Sequence, residues 1–185
     1  KISMKTNEQN GTFNGPAEVR LVRTLPGPVE RLWEYLTDPE KRARWFAGGV
    51  CEPKAGGKND LVFQHKNLSP NEEPPEQYKQ MNEAGFTMPS TILRCEPPRL
   101  LSYTFDDDSE VTFELTPQGN AVLLVLTHRA RGEDIPSIPG YASGWHTHFA
   151  LLAAILDDTP PPPFWAMHKR LKVDYAKAYA DVPKS

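Results

Sequence analysis

Between Val50 and Arg131 the chain is a succession of short alternating or apolar runs separated by turn residues, and this meander constrains the fold more than any other feature. Candidate strands are Val50–Pro53, Asp60–Asn67, Thr91–Glu96, Leu100–Phe105, Glu110–Thr116 and Ala121–Ala130. Pro97-Pro98, Asp106–Asp108 and Pro117–Asn120 serve as turns. Val122–Leu126 is apolar at every position, which predicts a central strand covered on both faces. Leu68 to Pro89 carries Pro, Asn, Gln and Glu with little pattern, and is expected to be a long loop or flap.

What flanks the meander fixes the class. Upstream, Val19, Leu21 and Leu25 recur at a spacing of two, the mark of a half-buried strand, with Arg23 interrupting the face. Pro26-Gly27-Pro28 breaks that strand, and Pro28 is placed to open a helix. In that helix Val29, Leu32, Trp33 and Leu36 form an apolar stripe. Asp38-Pro39 supplies an N-cap and an N1 proline for a second short helix that closes at Trp45 and Phe46. Downstream, Pro139 opens a helix over 140–156, which puts Tyr141, Trp145, His148, Phe149, Leu152, Ile155 and Leu156 on one side, with His146 and Ala150 on the other. Pro160–Pro163 is a stiff extended link, and Phe164, His168, Leu171, Tyr175 and Ala178 share a face of a final helix. A strand, two helices, about six antiparallel strands and a long helix describe an α+β domain with helices over one face of a curved sheet.

The expected organisation is a polar tail over 1–15 with Met4 as a native start, one domain over 16–158, and a linker with an amphipathic helix over 159–185 whose last five residues fray. At 185 residues a single core can bury roughly 70% of the unfolded surface without disulfides or metal. The net charge of −3, with both signs scattered, disfavours a nucleic-acid partner. No run approaches the roughly 20 apolar residues of a membrane span, and no signal peptide is evident. A soluble, cytoplasmic protein with Cys51 and Cys95 as free thiols is expected.

The residues also resemble a known family. Leu21 to Phe46, then Gly56-Gly57, Cys95 to Phe105, Val111 to Gly119 and Gly144-Trp145 are similar, in order, to the activator of heat-shock-protein-ninety ATPase homologues of the START-like, or SRPBCC, helix-grip superfamily. The resemblance implies a sheet wrapped around the long C-terminal helix and a cavity that holds a small hydrophobic or amphipathic molecule. Its expected lining is Trp33, Leu36, Trp45, Phe63, Tyr103, Phe105, Phe113, Trp145, His148, Phe149 and Leu152. Members that stimulate the chaperone's ATPase carry a further N-terminal domain, whereas here a tail precedes Ala17, so ligand binding is the leading expectation. A cavity enzyme of cyclase, dehydratase or hydrolase type with His148 as acid or base, and a chaperone regulator or interaction module, are the alternatives.

Other constellations have ordinary readings. His146 and His148, two apart on a helix, point about 200° apart and cannot chelate one ion, so no metal is expected. His148 alone is a core histidine, a polar anchor in the cavity, or a proton carrier. Asp106, Asp107, Asp108, Glu110, Asp157 and Asp158 are expected to be turn carboxylates and caps. Ser143 lacks a nucleophile-elbow setting, and the glycine pairs match no phosphate or dinucleotide fingerprint, so no cofactor is expected. The apolar face of the last helix, Phe164, Leu171 and Tyr175, must cover its own domain or a second chain in a homodimer.

Overall fold

A computed structural model describes residues 7–184. The expectations for Met4, for the rest of the first six residues and for Ser185 lie outside that range. In chain order the elements are β1 (Thr12–Phe13), β2 (Glu18–Pro26), α1 (Val29–Thr37), α2 (Pro39–Ala43), β3 (Leu61–Phe63), α3 (Lys79–Ala84), β4 (Phe86–Met88), β5 (Ile92–Glu96), β6 (Leu100–Phe105), β7 (Ser109–Gln118), β8 (Ala121–Ala130), α4 (Ile138–Leu156) and α5 (Phe164–Ala180). Single 3-10 turns occupy His65–Asn67 and Glu76–Tyr78, and a longer 3-10 segment spans Gly132–Ser137.

Six strands form one antiparallel sheet in the order β1-β2-β8-β7-β6-β5. The alternation in β2 puts Val19, Leu21, Arg23 and Leu25 on the buried face. Arg23 therefore enters the core, where its Nη1 donates to the Gln9 and Val22 carbonyls and burial pushes its pKa down to about 10. β8 is central as expected, but its cover is unequal. Val122, Leu124, Leu126 and Ala130 are sealed, whereas on the opposite face Val125 is buried and Leu123 half-buried.

The helix grip is present, with one addition. α4 packs on β2 and β8 and also against α5, so it is buried nearly all round, as suits a helix with apolar residues on every side. His146, expected on an outer face, is 3% exposed. Its Nδ1 lies 2.8 Å from the Tyr175 hydroxyl of α5, whose own proton is free to go to it because that oxygen accepts from Gly11 N–H. The face Phe164, Leu171, Tyr175 is thus spent within its own chain rather than on a second copy.

Several local expectations change. Val50–Pro53 is not a strand; Cys51 makes one isolated bridge to Asn59. The run from Asp60 to Asn67 shortens to β3 and a 3-10 turn. Thr12–Phe13, expected in a frayed tail, pairs with Val19–Arg20, and Phe13 packs edge-on against Tyr175 and Tyr179. Asp38 caps α2 as expected, its Oδ1 accepting from Glu40 and Lys41 N–H at 3.0 Å. From α2 the buried Arg42 guanidinium donates to the carbonyls of Ala47, Gly48, Gly49 and Asp60 and to Asn59 Oδ1. That fan of bonds fixes the Trp45–Ala47 segment above the sheet. Cys51 and Cys95 are free.

Candidate ligand-binding cleft

The expected loop after β3 is a structured flap. β3 and β4 make a separate two-stranded sheet with Leu61 opposite Met88 and Phe63 opposite Phe86, and α3 lies between them. Elements of three and six residues are too short to carry a periodic pattern; aromatic stacking holds them, with the Phe63 and Phe86 rings 4.6 Å apart. Gly85 turns the chain into β4 at φ 68°, where a Cβ would meet Phe63 O at 2.7 Å.

The flap is joined to α5 at a defined seam. Glu72 accepts from the N–H groups of Trp165 (2.6 Å) and Ala166 (2.8 Å), capping α5 with a carboxylate from a distant loop, and Ser69 Oγ donates to the same carboxylate at 2.9 Å. Tyr78 stacks on Trp165 at 5.2 Å, and Lys172 Nζ donates to the Tyr78 hydroxyl.

Between the flap, the start of α4, the start of α5 and the end of β6 lies an open cleft of about 360 Å³. Phe46, Phe63, Tyr78, Phe86, Phe105, Tyr141, Trp145, Phe164 and Trp165 supply its aromatic walls, Met81 and Met88 its flexible ones, and His65, His148, His168 and Asp106 its polar groups. Glycines 140 and 144 leave the α4 wall open, with no heavy atom where either Cβ would stand.

Of the sequence-predicted lining, Phe63, Phe105, Trp145 and His148 meet at this cleft. Leu36, Trp45, Tyr103, Phe113, Phe149 and Leu152 do not: each is at most 2% exposed and packed into the core between sheet and helix. Trp33 is half-buried on α1 against the edge of that core. The grip interior is filled because its rings interlock, Phe113 against Trp145 at 5.6 Å and Trp45 against Phe149 at 5.9 Å. Opening a guest chamber there would mean removing side chains.

Sequence reasoning did not place Phe46, His65, Tyr78, Met81, Phe86, Met88, Tyr141, Phe164, Trp165 or His168 in the lining. The available signal was at the head of the last helix, where Phe164, Trp165 and His168 fall close together; Leu68 to Pro89 holds only Tyr78 and Phe86 among aromatic residues and no histidine. Asp106, read as a solvated turn carboxylate, instead lines the cleft and accepts the Tyr141 hydroxyl at 2.5 Å. Its φ of 53° is a conformation that Asp tolerates better than most residues. Burial, with the Asp106 carboxylate second, drives the Tyr141 hydroxyl pKa up.

The histidines are held neutral. His148 Nδ1 lies 2.7 Å from the Trp45 carbonyl, so that nitrogen carries the proton and Nε2 keeps its lone pair. Burial pushes His148 down to about 3 and His65 to about 4, with the neighbouring histidines adding to both, and lowers His168 as well. Beneath the cleft His128 Nδ1 accepts from Trp145 Nε1 at 2.9 Å, and its Nε2 bonds Ser109, whose hydroxyl donates to the Phe105 carbonyl. This network fixes the His128 tautomer and the Trp145 ring together, and burial pushes His128 down to about 3. Two ring nitrogens in the cleft wall, His65 Nδ1 and Trp165 Nε1, are buried without a partner; each such group costs about 1–3 kcal/mol in a folded protein. Among the described residues no three His, Cys, Asp or Glu side chains are grouped to hold a metal ion, and no helix is long and apolar enough to cross a membrane.

Comparison with known proteins agrees with this architecture. A Bordetella parapertussis protein solved by solution NMR is 42% identical, with 87% of this chain and 85% of that one covered and a TM-score of 0.75. CalU16 from Micromonospora echinospora shares the fold at 22% identity, with 88% of each chain covered and a TM-score of 0.62. A conserved protein from Enterococcus faecalis does so at 14% identity, with 97% and 95% covered and a TM-score of 0.73. No curated protein matches the chain. The family described as activator of Hsp90 ATPase homolog 1-like protein matches residues 26–157, the span from the end of β2 to the end of α4, and with the helix grip and the relative at 42% identity it settles the assignment: the chain belongs to that family.

Proposed function

We propose that the protein binds a small apolar or amphipathic molecule in the cleft between flap and helices. The observation that carries this reading is the cleft itself, about 360 Å³, walled by aromatic rings and dotted with a few ring nitrogens, at the small end of the range of ligand pockets. Burying about 300 Å² of guest at about 25 cal/mol per Å² gives a gross gain near 7 kcal/mol, and the costs of association and ordering reduce that to micromolar affinity.

His148 is ill suited to the enzyme reading. With its pKa near 3 it is neutral at pH 7, its one ring proton is taken by the Trp45 carbonyl, and its Nε2 is a weak base.

Thermal unfolding with a panel of lipids, polyketides and flavonoids tests the proposal. A guest at 100 times its dissociation constant adds about 2.7 kcal/mol, a rise of about 5–10 °C at this chain length. A flat melting temperature across the panel, with no retained mass in native mass spectrometry, would contradict it.

A further inference from the structure

Granted that the cleft is a binding site, its chemistry also selects the guest. We infer that it takes a neutral ring compound bearing a hydroxyl, or an equivalent group that both donates and accepts, in preference to a carboxylate or an ammonium compound of the same shape.

The selection against charge follows from what lines the cleft. Among the described residues no Lys or Arg lines the cleft, and the one lining carboxylate, Asp106, accepts the Tyr141 hydroxyl through Oδ2. An anionic head would therefore meet aromatic faces, neutral imidazoles and a carboxylate, and no cation. An ammonium would find aromatic faces and the free Oδ1 of Asp106, but that carboxylate is exposed to water, where an ion pair is worth little, and the burial that keeps His65 and His148 neutral disfavours any positive charge at their depth.

The preference for a hydroxyl follows from the unpaired nitrogens. His148 gives its Nδ1 proton to the Trp45 carbonyl, so its Nε2 only accepts. Trp165 Nε1 only donates, and it has no partner. His65 Nδ1, also without a partner, does either according to tautomer. The three rings are neighbours, with His65 centred 5.8 Å from His148 and 5.5 Å from Trp165. A donor-and-acceptor group can answer any of them; a pure hydrocarbon answers none and leaves them desolvated. The two orphans lie at the flap–α5 seam, which the Glu72 cap and the Tyr78–Trp165 stack join, so a guest reaches them by parting that seam.

Four probes of one shape test this by calorimetric titration of the whole chain at pH 7.5: 2-naphthol, naphthalene, 2-naphthoate and 2-naphthylmethylammonium. The expected result is that 2-naphthol binds about fivefold tighter than naphthalene, the worth of one ordinary hydrogen bond, and at least tenfold tighter than either ion. Trp165→Phe and His65→Phe keep a ring in place and remove an orphan, so each should leave folding intact and bring the ratio of 2-naphthol to naphthalene affinity closer to one. Equal or tighter binding of either ion, or of naphthalene, overturns the selection while leaving the cleft a binding site. If none of the four binds, the binding proposal fails with it.

Discussion

The two sides of Trp145 differ. On one side lies the grip interior, where Phe113, Phe149, Leu152 and Tyr103 are sealed between β-sheet and α4. On the other lies the cleft, where Phe63, Phe86, Tyr78 and Trp165 leave about 360 Å³ unfilled. Both regions are rich in aromatic rings, so composition does not separate them. Hydrogen bonding does. The interior is framed by ten-residue strands whose ladders hold the rings at fixed spacing, whereas the cleft is framed by a two-stranded sheet of three-residue strands and a capped helix end. Rigid framing favours dense packing, and loosely joined pieces leave room for a guest.

Acidification should affect both regions and give the largest effect. His65, His128, His146 and His148 all have folded-state pKa values of about 3 to 4 against about 6.5 when unfolded. Each therefore adds stability that is present above pH 6.5 and lost as pH falls towards 4, at up to about 1.4 kcal/mol per pH unit. Together they can exhaust the 5–15 kcal/mol of an ordinary domain. Urea titrations at pH 7, 6 and 5 should show the midpoint falling steeply and unfolding without urea between pH 6 and 4; a midpoint unchanged at pH 5 would mean these histidines are not held neutral.

A substitution confined to the interior should separate the regions. Phe149→Ala removes a ring with no exposure and should cost about 3–5 kcal/mol, seen as a drop of about 6–20 °C in melting temperature. Affinity for a cleft guest measured well below that temperature should stay within about twofold, since Phe149 does not line the cleft.

Glu72→Ala should act in the opposite sense. It removes the carboxylate cap of α5 and should cost only about 0.5–2 kcal/mol. Amide exchange should quicken at residues 165 and 166 and across the flap, and guest dissociation should accelerate, while β7 and β8 keep their protection.

The sequence was most legible where strands are long. The bounds of β6 and β8 match the expected Leu100–Phe105 and Ala121–Ala130 because turn residues bracket them. β7 runs two residues past Thr116 because Pro117 sits beyond the reach of β6, whose last partner on β7 is Glu114; there a missing amide proton breaks no bond. The flap was illegible because its order comes from rings brought together across the chain, such as Tyr78 on Trp165. For the same reason the expected lining mixed two regions: Phe63, Phe105, Trp145 and His148 border the cleft, whereas Leu36, Trp45, Tyr103, Phe113, Phe149 and Leu152 are sealed in the grip. Nothing in the alternation of Phe105 and Phe113 tells that one borders the cleft and the other does not. The second cover of α4 was readable in part: Leu171 and Tyr175 needed burial, and only the topology shows that His146 faces them.

The measurement that tests the account most directly is methyl NMR of the protein labelled at methionine and leucine, titrated with 2-naphthol. Met81 and Met88 line the cleft, while Met167 lies on the opposite side of α5 beside Ala153 and Leu171, and Leu115, Leu124 and Leu152 are sealed in the grip. The account predicts saturable shifts at Met81 and Met88 with Met167 and the three leucines unmoved. Shifts at Leu115, Leu124 and Leu152 with the flap methionines silent would place the guest inside the grip and contradict it.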